Sequence, residues 1–246
     1  MAAGNAIYTR LLAGGYLISN QTNSVEIGFQ AQDQEVTTFE ATAKEFVTMP
    51  PSATITLNGY MTYSATDTGT YEKIAFTALN TADTLGIVKS ASSTYAGSIG
   101  FVMPSALTQN LTMESPVGGV QTVNGTWKSS NVGVRRGMCI YSGTISATGS
   151  TTAVNLGAAG SAGGYAYLFV TTETGTGTGA DIDIESATTA GGTYSSEGTF
   201  TFNGVGAVAM TLSGTVNQWL RLNCTDLGGA TSWFVTCIAC VSGVTY

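Results

Sequence analysis

Alternation of apolar and polar residues with a period of two is the dominant pattern along this chain, and it predicts β-strands. In "NSVEIGFQAQ", Val25, Ile27 and Phe29 fall on one side of a strand, while Glu26 and Gln30 fall on the other. The pattern recurs in "ATITLNGYMTY" (53–63), "DIDIE" (181–185), "TFTF" (199–202) and "WLRLNC" (219–224). A mostly apolar run, "SWFVTCIACV" (232–241), is typical of a largely buried strand. We therefore predict a mainly β fold.

One short helix and one domain boundary are also predicted. The segment "YEKIAFTALNTADTL" (71–85) has a weak apolar stripe of Ile74, Leu79 and Leu85, which indicates a helix. The segment 142–164 contains small residues and no charge, which favours a linker, although its "TTAVNLG" portion fits a first strand equally well. We place the boundary near residue 143, which gives domains of residues 1–143 and 144–246.

A long polar segment separates two of the predicted strands. It lies within "QAQDQEVTTFEATAKEFVTMPPSATITLNGYM" (30–61), where a two-residue hairpin turn would be enough to join them. The segment contains no Asn-Gly or Asp-Gly turn, and it carries apolar residues such as Phe39, Phe46 and Val47. A mobile surface loop would be richer in Gly and Ser. We therefore expect an arm whose apolar residues contact a partner.

Composition favours a structural protein over an enzyme. Only 9% of the residues are charged, 43% are hydrophobic, and the net charge is −7. These values are typical of a folded chain rather than a disordered one. The acidic balance and the lack of a Lys/Arg cluster exclude the charge pattern of a nucleic-acid-binding protein.

Few residues suggest catalysis or metal binding. The chain has 0 His residues, which removes the commonest general base and metal ligand. "GTGTGA" (175–180) fits the loose dinucleotide pattern, but a predicted strand follows it where that motif needs a helix. Cys237 and Cys240 are three residues apart, so on a strand they face opposite sides, which favours buried thiols over a redox or zinc site. We expect no enzymatic activity, no cofactor and no metal.

Three carboxylates form an acidic row on one predicted strand. Asp181, Asp183 and Glu185 share one side of that strand, with a spacing of about 7 Å between neighbours. A solvated acidic face is favoured over a calcium site, which stays open as the alternative.

The N-terminal sequence shows no targeting pattern. "MAAGNAIYTRLLAGGYLI" has no charged segment before its apolar part, and Arg10 interrupts that part. We expect no signal peptide, no membrane span and no membrane partner. The four cysteines are then expected to be reduced thiols in a protein made in a cytoplasm.

The order of motifs around the long polar segment resembles the tail tube protein (major tail protein) of long-tailed bacteriophages. That family has a strand, an acidic position, "VTTF", a polar arm ending in "A(K/R)xF/Y", and a strand of the type T-x-S/T-L-x-G-Y/F. The matching positions here are Glu35, "VTTF" (36–39), "AKEF" (43–46) and "TLNGY" (56–60). The chain departs from the family at Glu40, where Gly is usual, and at "MPPS" (49–52), where "PGL" is usual. The resemblance covers roughly residues 6–140.

The resemblance implies an N-terminal tail-tube-type β-sandwich or barrel that forms hexameric rings, and these rings stack into a tube. Residues 33–53 would then be an arm that reaches a neighbouring subunit or the adjoining ring. The arm residues that we expect to make this contact are Glu35, Thr37, Thr38, Phe39, Lys44, Phe46 and Val47.

A tube of this kind would let double-stranded DNA pass without specific binding. If six copies each gave four strands, as the family does, 24 strands would close a barrel about 50 Å across with a bore of roughly 40 Å. Lys and Arg on its wall would retain DNA, so acidic and amide side chains are expected there. The candidates that face the bore are Glu26, Gln30, Gln32 and Gln34, while Val25, Ile27 and Phe29 are expected to pack inward on the subunit.

The resemblance also implies partners and a location. The partners would be further copies of the chain and other phage tail proteins, namely the tape measure, terminator and distal tail proteins. The protein would be made in the cytoplasm of the host bacterium and located in the tail of the virion.

The C-terminal part resembles the small immunoglobulin-like β-sandwich modules of phage virion proteins. The matching features are the alternating strand at 181–185, the "GGTY" turn (191–194) and the hairpin from "WLR" (219–221) to "GGATSW" (228–233). Trp219 and Trp233 are expected to fill its core, and the domain would decorate the outside of the tube. An extracellular carbohydrate-binding or adhesin-like protein and a capsid decoration protein are the alternatives.

Overall fold

The computed structural model describes residues 8–35, 46–61, 74, 79, 81–130 and 132–246, with residues 31–35 and 46–51 described by their backbone alone. This part of the chain consists almost entirely of β-strands in antiparallel sheets, which confirms the prediction of a mainly β fold. No helix within it is long and apolar enough to cross a membrane.

Sixteen strands follow one another along the described chain. The first eight are β1 (Thr9–Ala13), β2 (Tyr16–Leu17), β3 (Thr22–Glu35), β4 (Phe46–Tyr60), β5 (Asp83–Lys89), β6 (Ile99–Glu114), β7 (Thr122–Ser129) and β8 (Arg135–Ile145). The second eight are β9 (Gly149–Ser150), β10 (Val154–Asn155), β11 (Gly164–Gly175), β12 (Ala180–Ala187), β13 (Ser195–Phe202), β14 (Gly206–Leu212), β15 (Trp219–Asp226) and β16 (Ala230–Val241).

The chain divides into two compact units, and neither is continuous in sequence. The two-sheet unit comprises Met1–Asn20, Thr84–Pro104 and Arg135–Tyr246. The four-strand unit comprises Gln21–Asp83 and Ser105–Val134. The predicted boundary near residue 143 falls within β8, whose residues from Met138 to Ile145 pair with β16. The division into domains of residues 1–143 and 144–246 stays a prediction.

Two sheets form the two-sheet unit. The larger has the strand order β14-β11-β16-β8-β6-β5-β1-β2, and the smaller has the order β10-β15-β12-β13 with β9 beside β15. The larger sheet curls until its ends meet, because the turn between β1 and β2 packs on the start of β14. A Cβ added to Gly15 there would lie 2.6 Å from the backbone nitrogen of Gly206.

Both faces of the larger sheet are buried at its centre. One face packs on the smaller sheet, with Leu168 and Val235 from the larger sheet and Ile182 and Leu222 from the smaller among the buried residues. Inside the curl, the other face forms a second apolar cluster that consists of Leu12, Val88, Val102, Cys139, Tyr167, Phe169, Ile238 and Cys240. Burial on both faces explains the mostly apolar sequence of β16 and confirms the prediction for that strand.

The four-strand unit contains a single sheet with the order β3-β4-β7-β6, to which β6 contributes its second half. Ile55 of β4 pairs with Ile27 of β3 and with Trp127 of β7. Directly paired residues share a face of the sheet, so this row defines its apolar face. The central residues of this face, Ala53, Ile55, Leu57, Val123 and Trp127, are all buried.

A bulge in β4 lies where the hairpin of β3 and β4 extends toward its tip. Gln30 pairs with Ser52, and Gln32 pairs with Met49, so β4 has one more residue than β3 in this interval. Pro50 and Pro51 lie there, and proline has no N–H to give to a regular ladder. The two strands continue past the bulge until Glu35 pairs with Phe46.

Part of the predicted helix is wrong. Residues 71–73, 75–78 and 80 of the segment 71–85 lie outside the described residues. Ile74 is helical and buried, but Asp83, Thr84 and Leu85 belong to β5. Leu85 pairs with Ala13 of β1, and this long-range ladder overrides a weak helical stripe.

A candidate assembly surface

The face of the four-strand sheet opposite the apolar face is mostly polar, and the ladder also places Leu107 and Tyr60 on it. We call it the polar face. One row across it runs from Ser24 through Asn58 and Asn124 to Thr112, and the next runs from Glu26 through Thr56 and Thr126 to Asn110. All of these side chains are exposed or half-buried in the single chain.

Hydrogen bonds between strands order the side chains of the polar face. The Nδ2 of Asn58 donates to the Oγ of Ser24 at 2.8 Å, and the hydroxyls of Thr56 and Thr126 are 3.3 Å apart. Such cross-strand pairs stabilise a sheet by roughly 0.2–1 kcal/mol each. They also fix the orientation of the side chains that this face presents to solvent.

The polar face carries little charge, and its charges are of mixed sign. Within the described part of the chain, the acidic residues on this face are Glu26 and Glu114, and the basic residue is Lys128. The remaining polar positions are Ser, Thr, Asn and Gln. A surface of this kind does not provide the row of cations that binds phosphate.

The four residues that are predicted to line a bore all belong to β3. Glu26 and Gln30 are exposed on the polar face. Gln32 and Gln34 continue β3, where they pair with Met49 and Val47, and only their backbone is described. That these four residues face a bore stays a prediction.

The expectation that Val25, Ile27 and Phe29 pack inward is only partly correct. All three pair with buried residues of β4 on the apolar face, but Val25 and Ile27 are half-buried and Phe29 is 61% exposed. Among the described strands, β3 pairs with β4 alone, so it is the edge of this sheet. The inward placement of Phe29 is therefore wrong for a single copy, because most of this side chain is exposed at the edge of the described sheet.

The predicted arm is partly a continuation of the hairpin. Asp33 pairs with Thr48, Gln34 with Val47, and Glu35 with Phe46, so both ends of the segment 33–53 are strand rather than loop. Of the predicted arm residues, Thr37, Thr38, Phe39 and Lys44 lie outside the described residues. The contact of the arm with a neighbouring copy stays a prediction.

The cysteines are buried and unreactive. Cys237 lies in the cluster between the two sheets, whereas Cys240 lies in the cluster inside the curl, so the two face opposite sides of β16 as predicted. Burial raises the pKa of Cys139 and of Cys240 to about 12, and it raises the pKa of Cys237 well above 9.0. These thiols are protonated near neutral pH and do not supply a thiolate for catalysis.

The acidic row of β12 has hydrogen-bonding partners on both neighbouring strands. Asp181 and Asp183 accept hydrogen bonds from Thr201 at 2.6 Å and Thr199 at 2.5 Å. The carboxylate of Glu185 forms an ion pair with Arg221 at 2.7 Å. Within the described part of the chain, no three His, Cys, Asp or Glu residues lie close enough together to hold a metal ion.

The two tryptophans of the C-terminal part differ in burial. Trp233 is fully buried, packs edge-on against Phe202 at 5.1 Å, and donates from Nε1 to the Leu227 carbonyl at 3.0 Å. Trp219 is only half-buried, so the expectation that both fill a core is correct for Trp233 alone. Trp219 lies at the start of β15, beside the two-residue strand β10, which leaves part of its ring uncovered.

Sequence reasoning missed two arginines that lie against aromatic rings. The guanidinium of Arg10 is 4.1 Å from the centre of the Tyr95 ring, and that of Arg135 is 3.3 Å from the centre of the Tyr165 ring. Arg10 also donates a hydrogen bond to Ser142, and Arg135 donates one to the Tyr167 hydroxyl. In the sequence, the position of Arg10 within an apolar N-terminal segment was the one indication of an unusual environment. The residues next to Arg10 and Arg135 in the sequence did not identify the aromatic rings that these arginines contact.

No protein-family model matches the chain. No curated protein matches it either. Among solved structures, a chain from the virion of a native gene transfer agent is 15% identical over 53% of this chain and 96% of its own length, with a TM-score of 0.37. A chain from the sheath–tube complex of an extracellular contractile injection system is 14% identical over 55% of this chain and 92% of its own length, with a TM-score of 0.36.

A third similar structure spans nearly the whole chain. The Dit protein of phage SPP1, part of a hub adsorption apparatus, is 11% identical over 93% of this chain and 98% of its own length, with a TM-score of 0.35. At these identities and TM-scores, none of the three similarities assigns this chain to a family or a function.

Proposed function

We propose that this chain is a structural virion protein that polymerises as stacked rings to form a phage tail tube through which DNA passes. The observation that carries the proposal is the four-strand sheet, which has an edge strand 14 residues long and a polar face on one side. An unpaired strand edge offers a row of N–H and C=O groups to the strand of another chain. A ring of copies would give each such edge a partner and close the sheets into one barrel.

The number of strands agrees with the expected size of the barrel. Four strands from each of six copies would give the 24 strands that correspond to a barrel about 50 Å across. In this arrangement the polar face lines the bore, because its side chains are already solvated in a single copy. The apolar face, with Ile55, Leu57 and Trp127, lies on the outer side of the barrel.

The extended hairpin supports an arm that reaches a neighbouring copy. The β3–β4 ladder carries the chain past the bulge to the pair of Glu35 and Phe46, and ten further residues connect these two positions. Their sequence, "VTTFEATAKE", includes Phe39 among mostly polar residues. This single aromatic side chain supplies an anchor for a groove in the partner.

Two variants test the arm and leave the β3–β4 ladder at its full length. Residues 36–45 are replaced by Asn-Gly in one variant and by ten Gly and Ser residues in the other. We expect both proteins to fold and to lose tube formation, as measured by negative-stain electron microscopy and circular dichroism. Normal tubes from both variants would overturn the arm assignment. Isolated monomers or trimers from the wild-type chain would overturn the tube itself and favour an adhesin-like or a capsid decoration protein.

A second experiment tests the bore. Replacing Glu26 and Gln30 with Lys places two cations on each copy, and therefore twelve around a ring of six, where phosphates would pass. We expect assembly to be unchanged and DNA to be retained in a salt-dependent way. Ala209 and Thr211, which are both exposed on β14, provide the comparison pair of lysine substitutions. Equal DNA retention by the two pairs would contradict the placement of the polar face.

A further inference from the structure

Strands β8 and β16 separate at one end of the larger sheet and leave a cleft between them. Their ladder runs as far as the pair of Met138 and Ala239. Beyond this pair, β8 extends back to its first residue, Arg135, and β16 continues to Val241. The peptide N–H of Val241 donates to the hydroxyl of Tyr246 at 2.6 Å, so residues 242–246 turn back against the end of β16. The cleft at this end has a volume of about 470 Å³.

Two arginines that are adjacent in the sequence line this cleft. Of the 8 Lys and Arg residues in the chain, only Arg135 and Arg136 are adjacent. Neighbouring residues of a strand face opposite sides of the sheet, but both arginines border the cleft because it lies in the gap between the two strands. The described residues that line the cleft include no Asp and no Glu.

Contacts with two tyrosines hold the guanidinium of Arg135. It lies 3.3 Å from the centre of the Tyr165 ring and donates a hydrogen bond to the Tyr167 hydroxyl. Burial raises the pKa of Tyr167 to about 12, so this hydroxyl is neutral near neutral pH and does not balance the charge of Arg135. A guanidinium has five N–H donors, and these contacts therefore leave donors that a ligand can use.

The guanidinium of Arg136 has no partner among the described residues. Its side chain is exposed, and it forms neither a hydrogen bond nor an ion pair within that part of the chain. Burial raises the pKa of Cys240, in the wall of the cleft, to about 12, so this thiol is neutral as well. The cleft therefore carries two positive charges, and no acidic side chain among its described lining residues balances them.

The chemistry of the cleft fits a carboxylate that is attached to an apolar stem. Guanidinium groups form paired, charge-assisted hydrogen bonds with carboxylates. Val241 and Val244 supply apolar surface in the same cleft, and its volume is in the range of pockets that hold small ligands. A nucleic-acid backbone is bound by a longer row of cations than two arginines provide. An acidic side chain of a peptide meets both the charge and the apolar walls.

We propose that this cleft binds an acidic peptide segment of a partner protein and that a carboxylate of that segment pairs with Arg135 and Arg136. The inference goes beyond the proposed tube function and does not depend on it. All the described residues that line the cleft belong to the two-sheet unit, so the site is built within one copy of the chain. The two-sheet unit thereby gains a binding function of its own.

A matched pair of peptides provides the test. The probe is a peptide of alternating Val and Glu residues with an acetylated N-terminus and a C-terminal fluorophore, and the control peptide has Gln in place of every Glu. Fluorescence anisotropy with the purified full-length protein should show binding of the Glu peptide with a Kd of about 1 mM or lower. The Gln peptide should not bind, because it has no carboxylate for the arginines.

Variants of the protein locate the binding in the cleft. Arg136→Gln should weaken binding of the Glu peptide at least about tenfold, because it removes a charge-assisted pair. Arg136→Lys keeps the charge but loses the planar fork, so its affinity should be intermediate. Lys89→Gln is the control, since Lys89 is also exposed in the two-sheet unit and its loss changes the net charge equally. All three variants should keep the wild-type circular dichroism spectrum, because Lys89 and Arg136 are exposed.

Each other outcome contradicts a part of the proposal. A wild-type chain that binds neither peptide, or both equally, would overturn the acidic-peptide site. Unchanged affinity in Arg136→Gln, or an equal loss in Lys89→Gln, would show that the peptide binds elsewhere or through net charge alone. Inorganic phosphate or a short DNA duplex that displaces the probe at a lower concentration than the unlabelled Glu peptide would overturn the assignment to a carboxylate.

Discussion

The two units of the chain differ in how completely each buries its own apolar side chains. In the two-sheet unit, β16 is buried on both faces, and apolar clusters fill both sides of the larger sheet. The four-strand unit is the smaller, yet it holds seven of the ten large hydrophobic residues that are exposed in the described part of the chain. The first unit therefore buries its apolar side chains within one copy, whereas the second leaves apolar surface exposed.

The largest effect is expected in the core of the two-sheet unit. Trp233→Ala removes a fully buried ring that packs on Phe202 and donates to the Leu227 carbonyl. We expect the free energy of unfolding to fall by about 3–5 kcal/mol, as measured by urea denaturation followed by circular dichroism. Trp219→Ala, at a half-buried ring, should cost clearly less. Equal losses would contradict the difference in burial between the two rings.

A close contact inside the curled sheet should give the next largest effect. A Cβ at Gly86 would lie 2.6 Å from the Phe169 ring, which is itself fully buried. Gly86→Ala should therefore lower the free energy of unfolding by about 1–3 kcal/mol, because the ring has little room to move. Gly204→Ala is the control, since a Cβ at Gly204 meets no atom within 4 Å. A loss at Gly204 as large as that at Gly86 would remove the steric explanation.

Alkaline pH should weaken the folded state through its buried thiols. Burial raises the pKa of Cys139 from 9.0 to about 12 in the folded protein. Its contribution is therefore fully present below pH 9 and is lost as pH rises toward about 12, because only the unfolded thiol ionises in that range. Each such group lowers the free energy of unfolding by about 1.4 kcal/mol per pH unit. Urea denaturation at several pH values should show a shallower decline in Cys139→Ala, and an unchanged slope would contradict this account.

The smallest effect on a single copy is expected at the edge of the four-strand sheet. Phe29 is 61% exposed, so Phe29→Ser should change the free energy of unfolding by no more than about 0.5 kcal/mol. Ile55→Ala, on the same face but fully buried, should cost about 2–5 kcal/mol. The same Phe29 variant should weaken assembly, which sedimentation velocity can measure. A large loss of stability in the monomer would show that Phe29 is covered within one copy.

Strands with regular alternation were predictable from the sequence. Five strands, β3, β4, β12, β13 and β15, belong to sheets that have one buried and one more exposed face. Apolar and polar residues therefore alternate along these strands, and the alternation is visible in the local sequence. The strand β7, "TVNGTWKS", also alternates, but a glycine in the place of an apolar residue weakens its pattern. The short strand β1 was missed because its five residues are too few to show a period.

Features that depend on distant pairing could not be predicted. The division into units follows from the pairing of β8 with β16, about 100 residues later, whereas composition changes only near residues 142–164. Phe29 and Ile55 both fit the alternation as inward-facing residues, and what separates their exposure is that β3 is the edge of the described four-strand sheet whereas β4 lies inside it. For the candidate surface, alternation predicted the polar face of β3, but the matching residues of β6 and β7 became evident only through the ladder.

The burial of all four thiols has a consequence for the chemical durability of a polymer made from many copies. A cysteine on the surface of each subunit would meet the same cysteine on its neighbours at very high local concentration, and oxygen would then link subunits at random. Because these sulfur atoms are enclosed within the subunit, the proposed tube would meet air without acquiring such links. Its order would then depend only on non-covalent contacts, which can still be corrected while the assembly grows.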